Sequence, residues 1–228
     1  MSLHVSLLVG ILGVAAVGAL PAHAQKTGTR IDHNAGAVGS VSRLDAETAA
    51  VAANAFAQCL ARREGKSMRN ALAFPFVSPE QSKAIARLRT QFEECLGNAS
   101  EFDQLVLGQV LQAGGAAEWF VRTEFKNVDL SSLKGMSDEA LEKTSFRPRT
   151  ALEDLGLCIV RRDPDRARGF VESKMGTSEA KVAFKAITPD LGPCVTGGTE
   201  MKLNSINLRA VVSYALFRAS SMLGATGA

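Results

Sequence analysis

The sequence predicts an all-α protein of two tandem, duplicated helical units, about four helices each, with one disulfide per unit. Three observations carry that expectation. Residues 59 to 95 align without a gap on residues 158 to 194, at a constant offset of 99. Cys59 and Cys95 recur as Cys158 and Cys194, and Arg62, Arg63, Arg69, Glu80 and Ala84 recur as Arg161, Arg162, Arg168, Glu179 and Ala183. Self-similarity at fixed offset identifies the repeated unit before any local propensity is weighed. The apolar residues of both halves fall at helical spacing, and helix-start signals stand in front of those stripes in corresponding places.

The chain opens with an apolar run, Val5 to Leu20, followed by Pro21 and Ala22-His23-Ala24. That pattern reads as a signal peptide over 1–24, cleaved between Ala24 and Gln25, and the run is shorter than the roughly 20 residues a membrane span needs. The expected destination is the periplasm or the exterior, with no transmembrane segment in the mature chain. Residues 25–42 are Gly-rich and read as a flexible segment.

The first unit is expected over 43–126. Val51, Ala52, Ala55, Phe56, Cys59 and Leu60 form the stripe of its first helix, capped by Asp45, and Leu152, Leu155, Cys158 and Ile159 match it in the second unit. There Thr150 and Glu153 form a capping box. A short second helix follows, opened in the second copy by Asp163-Pro164 and stopped by Gly176. The third helix starts at Ser78-Pro79-Glu80-Gln81 and at Thr177-Ser178-Glu179. Ile85, Leu88, Phe92 and Cys95 make its core face, and Phe184, Ile187, Leu191 and Cys194 occupy the same four positions in the second copy. Pro189 and Gly192-Pro193 end the second copy early. The fourth helices are expected over Phe102 to Phe125 and Ser205 to Met222. Gly114-Gly115 inside the first of them costs about 1 kcal/mol per Gly relative to Ala, which a close helix crossing or a kink would explain. Residues 127–149 read as a linker with a short helix, Asp138 to Lys143, capped by Ser137. The second unit covers 150–223, and 224–228 is a flexible tail.

Four Cys in an exported chain read as two disulfides. Pairing Cys59 with Cys95 and Cys158 with Cys194 repeats the unit. Joining Cys59 to Cys158 and Cys95 to Cys194 would also respect the duplication and would staple the units together.

The chemistry is narrowed by what is scarce. With 26 Lys and Arg against 23 Asp and Glu, the net charge of +3 is too mild for a dedicated nucleic-acid binder. Of three His, His4 and His23 lie in the leader and His33 in the Gly-rich segment. The folded body therefore lacks the parts for Ser-His-Asp catalysis or a His-ligated metal site, and no metal or cofactor is expected.

The recurring Arg62-Arg63 and Arg161-Arg162 pairs are candidate ligands for an anion if the units face each other. The competing reading places them at helix C-termini, bonding free carbonyls. Arg69 with Glu80 and Arg168 with Glu179 are expected as structural ion pairs between the second and third helices. Trp119 and Tyr214 sit near corresponding places in the two fourth helices, as core aromatics or as anchors for a partner. The functional expectation is an exported (periplasmic) binding or scaffolding module for a protein or a small anionic partner. An envelope hydrolase using paired carboxylates and a structural or stress-protective protein without a defined ligand are the alternatives.

Overall fold

A computed structural model describes residues 46–90, 93–96, 108–144, 146–195 and 204–226. The leader, the Gly-rich segment, Asp45 and Phe92 lie outside the described residues. The described chain is mostly helical, with no strand. Its α-helices are α1 (Ala46–Arg63), α2 (Gly65–Leu72), α3 (Pro79–Arg89), α4 (Gln109–Thr123), α5 (Asp138–Glu142), α6 (Ala151–Arg162), α7 (Pro164–Glu172), α8 (Ser178–Ile187) and α9 (Ser205–Thr226). None is long and apolar enough to cross a membrane.

Five starts read from the sequence are capped as their residue types dictate. The side chains of Ser78, Ser137, Thr150, Asp163 and Thr177 accept from the backbone N–H three residues on, satisfying one of the donors that a helix start leaves orphaned. The reciprocal half of the capping boxes falls one residue earlier than expected. Gln81 accepts from the N–H of Val77, and Glu153 from that of Arg149, each at 2.8 and 2.7 Å respectively. Val77 has φ of 55°, a left-handed backbone that a β-branched residue rarely adopts, and the Gln81 bond holds it there.

α4 and α9 are the inner pair. Every residue from Val110 to Glu118 and from Leu208 to Phe217 is buried, so neither helix keeps a solvent face in its middle, as expected of a helix apolar all round. α1 packs on α4, α4 on α9, and α9 on α6 and α7. The buried apolar residues of both halves form one continuous cluster. On α1 the buried stripe is Ala49, Ala53, Phe56, Ala57 and Leu60, while Ala55 is exposed, so the stripe sits one position round the helix from the one expected.

Glycine sets how closely these helices approach. A Cβ on Gly114 would lie 2.3 Å from the Cβ and 2.4 Å from the Cα of Ala210 on α9, and one on Gly115 would lie 2.5 Å from Asn54 Oδ1 and 2.9 Å from the Cβ of Ala57 on α1. The adjacent glycines face two different neighbours, which resolves the choice between crossing and kink in favour of a double close crossing. Gly156 on α6 is also tight, its Cβ position 2.8 Å from Val211 O.

The disulfides join Cys59 to Cys95 and Cys158 to Cys194, each spanning 36 residues, with Cα atoms 5.7 and 5.6 Å apart. In each bridge the second cysteine sits on a 3₁₀ turn after the third helix, Glu93–Leu96 or Gly192–Cys194, rather than on that helix itself. Pro189 and Pro193 begin such turns because proline lacks the N–H that would continue the α-ladder. Loop closure of this length stabilises the fold by about 4 kcal/mol per bridge in the chain-entropy model.

Replacing Gly114 with Ala tests the crossing. The added methyl meets backbone atoms of Ala210 that cannot turn away, so the variant loses about 1–3 kcal/mol in spite of alanine's better helix propensity. Urea unfolding monitored by circular dichroism measures the change. A stabilised variant would show that α4 and α9 are not in close contact there.

Candidate functional site

Two polar nodes and two surface grooves dominate the molecule. The first node lies between the inner helices. Arg209 is 3 % exposed and Glu118 1 % exposed. Arg209 Nε donates to Glu118 Oε2 and Nη2 to Oε1, both at 2.9 Å, in a bidentate fork. Its remaining donors go to the Phe170 carbonyl at 2.8 Å, the Ser173 hydroxyl at 3.1 Å, the Ser173 carbonyl at 2.5 Å and the Val171 carbonyl. Arg122 donates to Glu118 Oε1 at 3.2 Å and to the Glu172 carbonyl. The C-terminal carbonyls of α7 are thus capped by arginines from α4 and α9, the end of a helix where positive charge is favourable.

The second node clamps the turn between α2 and α3. Glu153, 6 % exposed, accepts from the Phe76 N–H at 2.7 Å. The single Tyr214 O–H is shared between the carbonyls of Leu72 and Phe74, at 2.9 and 2.7 Å, and Arg149 reaches the Ala73 and Phe74 carbonyls at 2.8 and 3.1 Å. The Phe76 and Tyr214 rings stack with centroids 4.4 Å apart. Burial pushes the Tyr214 phenol above its ordinary value, with the Arg218 side chain opposing, because a phenolate would lose hydration and face two carbonyl oxygens.

The structure gives the sequence-selected residues different partners from those expected. The four guanidinium groups do not gather. Arg62 is exposed at the end of α1, Arg63 pairs with Glu94 at 2.6 Å, and Arg161 pairs with Asp138 at 2.6 Å and donates to the Met136 carbonyl. Arg162 and Arg166 share the buried Asp190. The reason is the layer order: α1 and α6 pack on different inner helices, so their ends do not face each other. Arg69 pairs with Glu124 at 2.5 Å and lies over the Phe120 ring, not on Glu80. Arg168 donates to the carbonyls of Phe125, Lys126 and Val128, not to Glu179. Both arginines turn to the end of α4 and the chain leaving it, leaving Glu80 and Glu179 exposed in the first turns of α3 and α8, where they complement the helix dipoles. Tyr214 is 1 % exposed and has no surface to offer a partner. Trp119 is half-buried, edge-on to Phe120 with centroids 5.0 Å apart.

The grooves were not foreseen. One, of about 390 Å³, lies between α7, α8 and the start of α9. Phe170, Met175, Phe184 and Ile206 supply its apolar surface, with Lys181 and Lys185 on one side and Glu47 of α1 on another. The other, of about 350 Å³, lies between α3 and the start of α4 and is the more polar of the two, with Gln81, Ser82, Lys83, Arg89, Gln109 and Gln112 beside Ile85 and Ala86 on its walls. Both volumes fall in the ~300–1,000 Å³ range of small-molecule sites. Gln81, Ser82, Ile85 and Ala86 of the polar groove stand at the offset of 99 from Ala180, Lys181, Phe184 and Lys185 of the apolar one. Two signals in the sequence pointed toward the first node: a lone Glu in the apolar run of 110–121 and a lone Arg in that of 206–217. The grooves had no such signal, because they depend on how α8 and α9 meet.

Compared with protein-family models, with curated proteins and with solved structures, the chain has no match.

Tyr214 is the chain's one tyrosine, so its ionisation is directly visible in the ultraviolet near 295 nm, a wavelength chosen for tyrosinate. Its folded pKa is raised, so the stability it contributes is complete below the unfolded value near 10 and is lost as pH rises through the folded one. Tyrosinate absorbance should therefore appear above pH 10 together with loss of helical circular dichroism. Reversible titration at the ordinary value with the helices intact would contradict the buried, two-carbonyl environment.

Proposed function

We propose that the protein is an exported binding module of two duplicated, disulfide-stapled helical units, each presenting a groove between its third and fourth helices for a small anionic partner. The observation that carries this reading is the correspondence of the two grooves. The same four positions of the third helix line both, at the offset that also relates the cysteines. Helices α1 to α4 and α6 to α9 follow in the same order, and α2 and α3 start at the offset of 99 from α7 and α8, which supports the duplication. Cationic side chains line both grooves, Lys83 and Arg89 in one, Lys181 and Lys185 in the other, which favours anions over cations.

The buried carboxylates support binding over catalysis by carboxylate pairs, since Glu118, Glu153 and Asp190 are spent on arginines and backbone N–H groups. The arginine pairs leave this reading with their expected ligand role transferred to the grooves. Export is supported by the leader pattern and by four cysteines that are all bridged, a state that persists in oxidising compartments such as the periplasm.

A thermal-shift panel of carboxylates, phosphorylated sugars and acidic peptides tests the reading on the oxidised protein. At least one class should raise the melting temperature in a saturable manner, as ligands of the native state do. Filling one groove, by Ala86→Trp or Ala180→Trp, should reduce that shift, and filling both at once should abolish it while circular dichroism remains that of the wild type. A panel without any shift, or a shift that survives both variants, would overturn the proposal.

A further inference from the structure

We infer that the groove between α7, α8 and α9 takes a soluble single-chain carboxylate, its alkyl chain on the apolar floor and its carboxylate at Lys181 and Lys185. The inference rests on the binding reading above and names the ligand class for one of its two grooves.

The floor comes from three separate stretches of chain: Phe170 on α7, Met175 in the following turn, Phe184 on α8 and Ile206 on α9. Phe170 is buried and backs the half-buried Phe184, with ring centroids 6.1 Å apart and tilted by 44°, so Phe184, Met175 and Ile206 present the apolar surface that an alkyl chain meets. Arg209 lies beneath, but all its donors are taken by Glu118, Ser173 and the α7 carbonyls. It therefore fixes the floor and offers the ligand no hydrogen bond.

Charge decides which end of the ligand goes where. Lys181 and Lys185 are one helical turn apart on α8 and both exposed, so their ammonium groups share one face. The first turns of α8 and α9 open on the same groove through Thr177, Ala180, Ser205 and Ile206, adding positive potential from two helix starts. The one acidic wall residue, Glu47, comes from α1 and lies 4.0 Å from the position of a Cβ on Gly176. Gly176 directly precedes the start of α8, so the Glu47 carboxylate faces that start, and an anionic head belongs further along α8, at Lys181 and Lys185.

The polar groove gives the internal contrast. At the positions of Lys181, Phe184 and Lys185 it carries Ser82, Ile85 and Ala86, and amides of Gln81, Gln109 and Gln112 replace the aromatic floor. Ile85 and Ala86 give an alkyl chain a smaller apolar bed there than Met175, Phe184 and Ile206 do in the other groove, so one strong site per protein is expected.

Isothermal titration of the oxidised full chain with decanoate, decanol, acetate and vesicles of anionic phospholipid tests the assignment. Decanoate should bind at one site, decanol and acetate each at least roughly tenfold more weakly, and Lys181→Glu with Lys185→Glu should weaken decanoate by a similar factor. Lys181→Gln with Lys185→Gln should give an intermediate loss, and both pairs are exposed, so the helices should keep their circular dichroism. Equal binding of decanol and decanoate, no effect of either lysine pair, or binding to vesicles without binding to decanoate would overturn the assignment. Where decanoate fails but another ligand class is still blocked by Ala180→Trp, this inference falls and the binding module stands. Where no class is blocked by either groove-filling variant, both fall.

Discussion

Two helices with no solvent face in their middle turns each carry one charged residue there, Glu118 on α4 and Arg209 on α9. Moving either charge out of water alone costs several kcal/mol, and the mutual attraction offsets that only when every remaining donor and lone pair is used. Here the condition is met in full. The guanidinium fork takes both carboxylate oxygens, and the other donors close the carbonyl end of α7. Asn54 of α1 approaches the same carboxylate at 3.5 Å. One contact thereby sets the register of α4 against α9 and the position of α7, which belongs to the other end of the chain from α1 and α4. Apolar packing has no comparable directionality, since it tolerates sliding that a bidentate pair does not.

Glycine and sulfur complete the arrangement. Gly114, Gly115 and Gly156 let α1, α4, α9 and α6 approach to backbone distance, and the bridges hold the 3₁₀ turns after α3 and α8 to the outer helices. The second node crosses between halves in the opposite direction, with Glu153, Arg149 and Tyr214 bonding the Leu72–Phe76 turn. That turn ends in Val77, a left-handed residue of a kind that costs on the order of 1–3 kcal/mol. Each half thus supplies bonds that the other cannot make for itself, and the core runs through both. The same rigidity serves the apolar groove. Phe170 and Ile206 are fixed by neighbours of the Glu118–Arg209 pair, so little ordering is left for a ligand to induce.

Local chemistry was readable from the sequence, and long-range chemistry was not. Ser78, Thr150, Asp163 and Thr177 announced their helices because a cap is decided within four residues. The disulfides take the pairing that repeats the 36-residue spacing, where the sequence also admitted Cys59 with Cys158 and Cys95 with Cys194. Arg69 and Arg168 were matched to the nearest recurring acid, yet both turn to the far end of α4, because recurrence of a residue does not specify its partner. Of the two readings of Tyr214, core aromatic or interface anchor, burial of α9 on all sides leaves the first. Glu118 and Arg209 are the lone charges of apolar runs, a signal that marks each residue but not its partner, because their pairing across 91 residues is a property of the helix layers. The grooves had the weakest signal, since neither wall is complete within one segment.

A double-mutant cycle on Glu118→Met and Arg209→Met, read as free energy of unfolding in urea with the disulfides intact, tests the central role of the pair most directly. Each single change should cost about 3–5 kcal/mol, because it leaves the other charge buried alone. The double variant should cost clearly less than the two combined, with a coupling of about 2 kcal/mol or more. Additivity to within roughly 0.5 kcal/mol, the behaviour of independent sites, would show that Glu118 and Arg209 do not hold α4, α7 and α9 together.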